Sequence, residues 1–325
     1  MVGRMVFQLD MSVWQGRDDS AEGPLAVRWH QRVAPLQDHV LPGVVLLGFG
    51  CDEGVQRNQG RVGAAQAPFV IRKNLANLAW HQAAPVYEAG DFLPQNLPLE
   101  ECQKQLGMLV AQLLKAGHRP LVLGGGHETA WGTFQGIRLA FPHLNLGIIN
   151  LDAHFDIRSA DQAHSGTPFS QMADWSQINH QPFHYLCLGI AEHANTEALF
   201  AKARRWGVRW KLDKELTACH ISAAGQAVQE FLAEVDGVYL SLDLDVLPAS
   251  VMPAVSSPAG RGITIEVVTH LIEFILSRKP CLAMDVVEFN PIYDTDGSAA
   301  RVAATLVWQL AQAYARTGHE RKGIQ

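Results

Sequence analysis

Five residues at the middle of the chain, Asp152-Ala153-His154-Phe155-Asp156, constrain it most, because they stand directly behind the apolar run Leu146-Gly-Ile-Ile-Asn150. Successive side chains of an extended segment leave the backbone on opposite sides, so Asp152, His154 and Asp156 share one side as the strand gives out. Two further strand-like runs end in the same chemistry. Val238-Tyr-Leu-Ser-Leu242 runs into Asp243-Leu244-Asp245, and Pro120-Leu-Val-Leu123 runs into Gly124-Gly-Gly-His127-Glu128. Any one Asp-x-Asp is a common turn or cap signal, but three such ends in one chain point to one cleft. Four aspartates drawn together there cannot all stay ionised unaided, since neighbouring carboxylates and burial each raise a carboxyl pKa. Two divalent cations would offset them, with His127 and His154 as neutral imidazole ligands. Oxygen and nitrogen donors without thiolate suit manganese, and leave iron(II), cobalt and zinc open.

The rest of the chain agrees with small-molecule chemistry. A length of 325 residues with 48% hydrophobic content supports a large core. We expect a single α/β domain with an irregular N-terminal region over about residues 1–40. A net charge of −6 without a Lys/Arg block argues against nucleic acid or an acidic membrane as partner. Five cysteines with no Cys-x-x-Cys pair read as reduced, mostly buried thiols of a cytoplasmic protein. Charges break the N-terminus too early for a signal peptide, and no apolar run is long enough to span a membrane.

Apolar runs at 44–49, 121–123, 146–150, 185–190, 238–242 and 281–287 read as buried strands. Helical periodicity is expected over 67–80, 99–115, 131–140, 196–206, 223–234, 265–276 and 299–315. Strands that are continuously apolar and alternate with helices imply a mainly parallel central sheet covered on both faces, a three-layer αβα fold. Such sheets bind ligands beyond their carboxyl ends, where the metal motifs fall. The stretches 57–66, 158–181 and 247–264 are expected to be loops around that rim. Gly124-Gly-Gly126 lacks the Lys-Ser/Thr of a phosphate cradle, so it is read as a tight turn that brings His127 inward.

With these motifs in place, the chain resembles the ureohydrolase family of arginases and agmatinases over most of its length. The Gly-Gly turn ending in histidine, the Asp-Ala-His-x-Asp motif and the Ser-x-Asp-x-Asp motif, Ser241 to Asp245, carry the resemblance. It implies an arginase-like fold and two manganese ions per subunit. His127 and Asp156 would hold the first ion and His154 and Asp245 the second, with Asp152 and Asp243 serving both. Two departures, Gly126-His127-Glu128 for Asp-His-Ser and Val246-Leu-Pro248 for Asp-Pro, look like the formimidoylglutamase branch. Residues 150–158, 164–169 and 285–291 look like that branch too.

That branch implies hydrolysis of N-formimidoyl-L-glutamate to L-glutamate and formamide in histidine degradation, by a hydroxide bridging two metals. Glu288 would hydrogen-bond the amidine nitrogens, and His164 would carry the proton needed by the leaving amine. A substrate with two carboxylates calls for arginine at the rim. Arg57, Arg61 and Arg158 lie in the expected rim loops, and Arg158, two residues beyond Asp156, is the first choice. The resemblance also implies a homo-oligomer. Another ureohydrolase activity, a non-catalytic metal-dependent binding protein and a dinuclear phosphoesterase are the competing readings.

Overall fold

The computed structural model describes residues 7–94 and 97–316, so the first six residues of the expected irregular N-terminal region lie outside the described residues. Among the described residues ten strands form one sheet: β1 (Phe7–Gln8), β2 (Val33–Pro35), β3 (Val44–Phe49), β4 (Val86–Phe92), β5 (Arg119–Gly124), β6 (Leu146–Leu151), β7 (His184–Ile190), β8 (Arg209–Leu212), β9 (Gly237–Asp243) and β10 (Cys281–Val287). The order across the sheet is β1-β4-β3-β5-β10-β9-β6-β7-β8, with β2 also on β4. Every pairing among these strands is parallel except β1 with β4. The helices are α1 (Glu53–Arg57), α2 (Ala67–Leu75), α3 (Leu99–Lys115), α4 (Thr129–Ala140), α5 (Pro168–Ile178), α6 (Glu197–Arg205), α7 (Ile221–Leu232), α8 (Ile265–Leu276) and α9 (Ser298–Arg316).

Alternation along each strand feeds two cores, one on each face of the sheet. In β3, Val44 and Leu46 join Ile71 of α2, Val228 of α7, Leu271 of α8 and Leu310 of α9. Val45, Leu47 and Phe49 join Leu106 of α3, Phe134 of α4, Met172 of α5 and Phe200 of α6 on the other. This is the three-layer αβα architecture expected. Each fully buried leucine or phenylalanine side chain contributes about 1.5–3 kcal/mol, which is why the central strands are apolar on both faces. No helix among the described residues is long and apolar enough to cross a membrane.

Several elements depart from expectation. The helix expected over 67–80 ends at Leu75. Beyond it the backbone pairs with the N-terminal segment instead, Trp29 N–H donating to Leu78 O and Trp80 N–H to Val27 O. The second half of the loop expected over 158–181 is α5, opened by Pro168 in its first turn. β4 escaped detection because Glu88, Gly90 and Asp91 break its apolar pattern. These polar residues are accounted for by one buried cation. Arg72 donates to both Glu88 carboxylate oxygens, Nε at 2.7 Å and Nη2 at 2.9 Å, and through Nη1 to Asp91 at 2.6 Å. Trp14 Nε1 and Gly90 N–H also donate to Glu88.

Glu88→Ala leaves the buried Arg72 with Asp91 as its one carboxylate partner, and is expected to lower stability by about 3–5 kcal/mol in urea unfolding. Glu234→Ala breaks the exposed Arg209–Glu234 pair and should lower it by less than about 1 kcal/mol. Equal effects would show that burial does not set the value of the Arg72 pair.

Candidate metal centre

Four adjacent parallel strands, β5, β10, β9 and β6, deliver the site at their carboxyl ends. β5 leads through the glycine turn to His127, β10 to Glu288, β9 ends on Asp243, and β6 leads to Asp152. The turn must be glycine where the chain folds back tightly. A Cβ on Gly125 would lie 1.9 Å from Cys51 O, and one on Gly126 would lie 2.1 Å from Glu128 Oε2.

Strand alternation alone does not aim the Asp152–Asp156 motif, since β6 ends at Leu151. Asp152 accepts the His154 N–H at 2.6 Å, and Asp156 sits in the left-handed region at φ 48°, which aspartate tolerates. The intervening Phe155 points away into the core between Phe200 and Trp210. Asp245 lies in a 3-10 turn after β9, its N–H donating to Asp243 at 2.8 Å.

Two groups of potential ligand atoms result, each with its atoms within 4.8 Å of one another. One is His127, Asp152, Asp156 and Asp243, and the other is Asp152, His154 and Asp245. His127 Nδ1 lies 3.2 Å from Asp152, 3.0 Å from Asp156 and 3.0 Å from Asp243. His154 Nδ1 lies 3.0 Å from Asp245 and 3.5 Å from Asp152. Asp152 turns one oxygen to each imidazole and so joins the groups. Asp243 groups with the first only.

The protonation pattern shows that these residues suit a cation. Ser241 Oγ donates its one proton to Asp285 at 2.6 Å, so its lone pair accepts from His127 Nε2 at 3.0 Å. The neutral ring therefore presents a bare Nδ1 lone pair, buried and without a hydrogen-bond partner, to three carboxylate oxygens. That arrangement is repulsive unless a cation or a proton lies between them. In the protein alone the carboxylates favour a proton there. Burial opposes it, but Asp152, Asp156 and Asp243 together hold His127 well above its ordinary pKa, and Asp245 and Asp152 do the same for His154. Burial, then the charges of Asp245 and Asp152, push Asp243 up.

The polar residues behind the ligands fall inside the motifs and segments quoted from the sequence, but were given no role there. Asn150, Ser241 and Asp285 occupy one register across β6, β9 and β10. Asn150 donates to Asp152 at 2.8 Å, and Tyr239 donates to Asp285. A lone polar residue inside each apolar run was the available signal.

Glu288 follows β10 at φ 69°, a left-handed conformation rare for glutamate. Its N–H donates to Gly125 O, and its Oε1 accepts the His127 N–H at 2.8 Å. Oε2 has no partner, and burial, then the Glu128 charge, raises the carboxyl to about 8. Glu128 itself accepts the Gly54 N–H at 2.8 Å, and burial raises it to about 7.

His164 lies on the half-buried loop before α5. Gly166 N–H donates to its Nδ1 at 3.0 Å, so the neutral ring carries its proton on Nε2. Burial lowers its pKa, with the Arg158 and Arg57 charges adding to the fall and Asp156 opposing it. Arg158 is exposed, and its guanidinium has no hydrogen bond or ion pair among the described residues. Arg61 stacks on Tyr293 at 4.8 Å. Arg57 is bound to Glu53 and Glu100.

A model of the arginase family matches residues 42–312. The chain belongs to the arginase family. Among curated members, it is 51% identical to the formimidoylglutamase of Chromobacterium violaceum over 94% of this chain and 98% of that one. It is 50% identical to that of Aeromonas hydrophila over 93% and 98%. Among arginase-family structures, Trypanosoma cruzi formiminoglutamase with Mn2+ superposes at a TM-score of 0.76, with 26% identity over 84% of this chain and 94% of that one. Bacillus subtilis formimidoylglutamase shares the fold at a TM-score of 0.80, with 20% identity over 92% and 94%.

Ser241→Ala removes the acceptor that orients His127, and is expected to weaken metal binding about 10–100-fold by calorimetric titration. Asp243→Ala is expected to lower the bound-metal count itself, read by elemental analysis. Wild-type affinity in the first and full occupancy in the second would contradict this ligand set. Because the surrounding carboxylates raise the proton affinity of both imidazoles, protons compete with the metal, so apparent affinity should fall as pH falls and loading should release protons.

Proposed function

We propose that the chain hydrolyses the linear amidine C–N bond of N-formimidoyl-L-glutamate, giving L-glutamate and formamide, as in histidine degradation. The observation that carries the substrate is half identity, over nearly the whole chain, to relatives that are formimidoylglutamases. The four strand ends support the chemistry.

His127, Asp152, Asp156 and Asp243 are proposed to hold one divalent cation, and Asp152, His154 and Asp245 a second, with Asp152 common to both groups. Four carboxylates and two imidazoles without thiolate favour manganese, as does its presence in the T. cruzi relative. When bound, such a pair supplies Lewis acidity and a nucleophilic hydroxide at neutral pH.

The protein's own residues then do the following. Glu288 turns its free Oε2 to the formimidoyl nitrogens, and the positive charge of an amidinium beside it favours the ionised carboxylate that burial opposes. Addition of hydroxide to the formimidoyl carbon gives a tetrahedral species bearing two nitrogens. The bond to the glutamate nitrogen breaks, that nitrogen takes a proton, and the oxygen stays on carbon as formamide. His164 is proposed to supply the proton from Nε2. To do so it first becomes imidazolium by taking a proton at Nδ1, which displaces the Gly166 N–H. Arg158, exposed beyond Asp156, is proposed to pair with a substrate carboxylate. A homo-oligomer in the cytoplasm completes the proposal, its assembly measurable by light scattering.

Manganese-loaded protein is expected to release formamide from N-formimidoyl-L-glutamate. Urea from arginine or agmatine at equal or greater kcat/KM would assign a sister activity instead. Glu288→Gln should lower kcat on the order of a hundredfold with metal content unchanged, and loss of both metals would make Glu288 structural.

A further inference from the structure

The loop that carries His164 is held from outside by one short element. Arg57, the last residue of α1, donates through Nη1 to Ala163 O at 2.9 Å. Asn58, the next residue, donates through Nδ2 to Ser165 Oγ at 3.1 Å. These two bonds grip the residues on either side of His164 and leave the imidazole itself untouched. Within the loop, Thr167 supports the same residue. His164 N–H donates to its Oγ1 at 3.0 Å, and Thr167 N–H donates to His164 O at 3.1 Å.

The opposite end of α1 is tied to the metal centre. Gly54 N–H donates to Glu128 Oε1 at 2.8 Å, and Glu128 is the residue after His127. The fit is close, since a Cβ on Gly54 would lie 2.5 Å from Glu128 Cδ. Gln103 of α3 fixes the same turn by donating to Glu128 O at 2.9 Å. α3 holds the far end too, because Glu100 accepts from Arg57 Nη1 at 2.7 Å while Glu53 accepts from its Nε at 3.1 Å. A continuous path therefore runs from His127 through Glu128, α1 and Arg57 or Asn58 to His164.

We propose that α1 is a brace that sets His164 against the metal centre, with Arg57 and Asn58 as positioning residues. The proposal rests on the catalytic role given to His164 above. It also removes Arg57 from the arginines that could meet a substrate carboxylate, because its charge already faces Glu53 and Glu100 and its remaining contact is a carbonyl. A proton donor displaced by about 1 Å loses on the order of a hundredfold in rate, so a brace of this kind acts on kcat and leaves ground-state binding alone.

The test uses the metal-loaded enzyme and compares Arg57→Ala, Asn58→Ala, His164→Ala and the doubles that combine each of the first two with His164→Ala. Arg57→Ala and Asn58→Ala should each lower kcat roughly 10–100-fold, with KM for N-formimidoyl-L-glutamate and metal content close to wild type. Once His164 is gone the brace has nothing to position, so each double should be no slower than His164→Ala alone. Rate losses that multiply in the doubles would overturn the brace while leaving the role of His164 intact. A rise in KM at constant kcat for Arg57→Ala would return Arg57 to carboxylate binding. Wild-type turnover by His164→Ala would overturn both the brace and the role of His164. Should Arg57→Ala not fold, Asn58→Ala and its double decide the question by the same criteria, since that change removes a single side-chain bond.

Discussion

Three carboxylate oxygens converge on one buried imidazole nitrogen, and much of the structure exists to hold them there. His127 Nδ1 has Asp152, Asp156 and Asp243 at 3.0–3.2 Å and no hydrogen-bond partner. In a low-dielectric interior such a cluster is held together only by positive charge, which two imidazolium protons supply poorly and two divalent cations supply well. Ser241, Asp285 and Tyr239 fix the ring from behind. Phe169 packs against the same ring in a T-shaped pair at 5.2 Å and stacks on Tyr185, whose hydroxyl in turn donates to Phe155 O.

Parallel strands make this convergence affordable to the fold. β5, β10, β9 and β6 are neighbours, so their carboxyl ends open on one edge and their side chains need only short turns to meet. Two of the five non-glycine residues with positive φ among the described residues lie at that edge. Asp156 and Glu288 both take left-handed conformations, and each has a polar side chain committed to the site. Elsewhere the buried charge is balanced differently. Arg72 meets Glu88 and Asp91 far from the metal motifs in sequence, and that pair ties α2 to β4.

Legibility in the sequence followed how local the determining physics was. β3, α3 and α8 begin and end where periodicity and punctuation put them, because each is a long run whose burial pattern is set by its own residues. β4 was hidden because its polar residues are explained by Arg72, which lies on another element. α2 stops short because the N-terminal segment captures the backbone that would have continued it. In the site, the ligand residues were visible as spaced pairs behind apolar runs. Asn150, Ser241 and Asp285 stood in plain view within those runs, but their shared register appears only when β6, β9 and β10 lie side by side.

What the sequence alone determined is the set of metal-competent side chains and the kind of element that carries them, since both depend on residue type and spacing over a few positions. Which oxygen faces which nitrogen, which imidazole nitrogen is free, and which rim arginine is already neutralised were decided by tertiary structure. Arg57 and Arg158 read alike as loop arginines, yet one is locked to Glu53 and Glu100 and the other is exposed. That difference depends on α1 and α3 meeting across more than forty residues of chain, a contact no local pattern encodes.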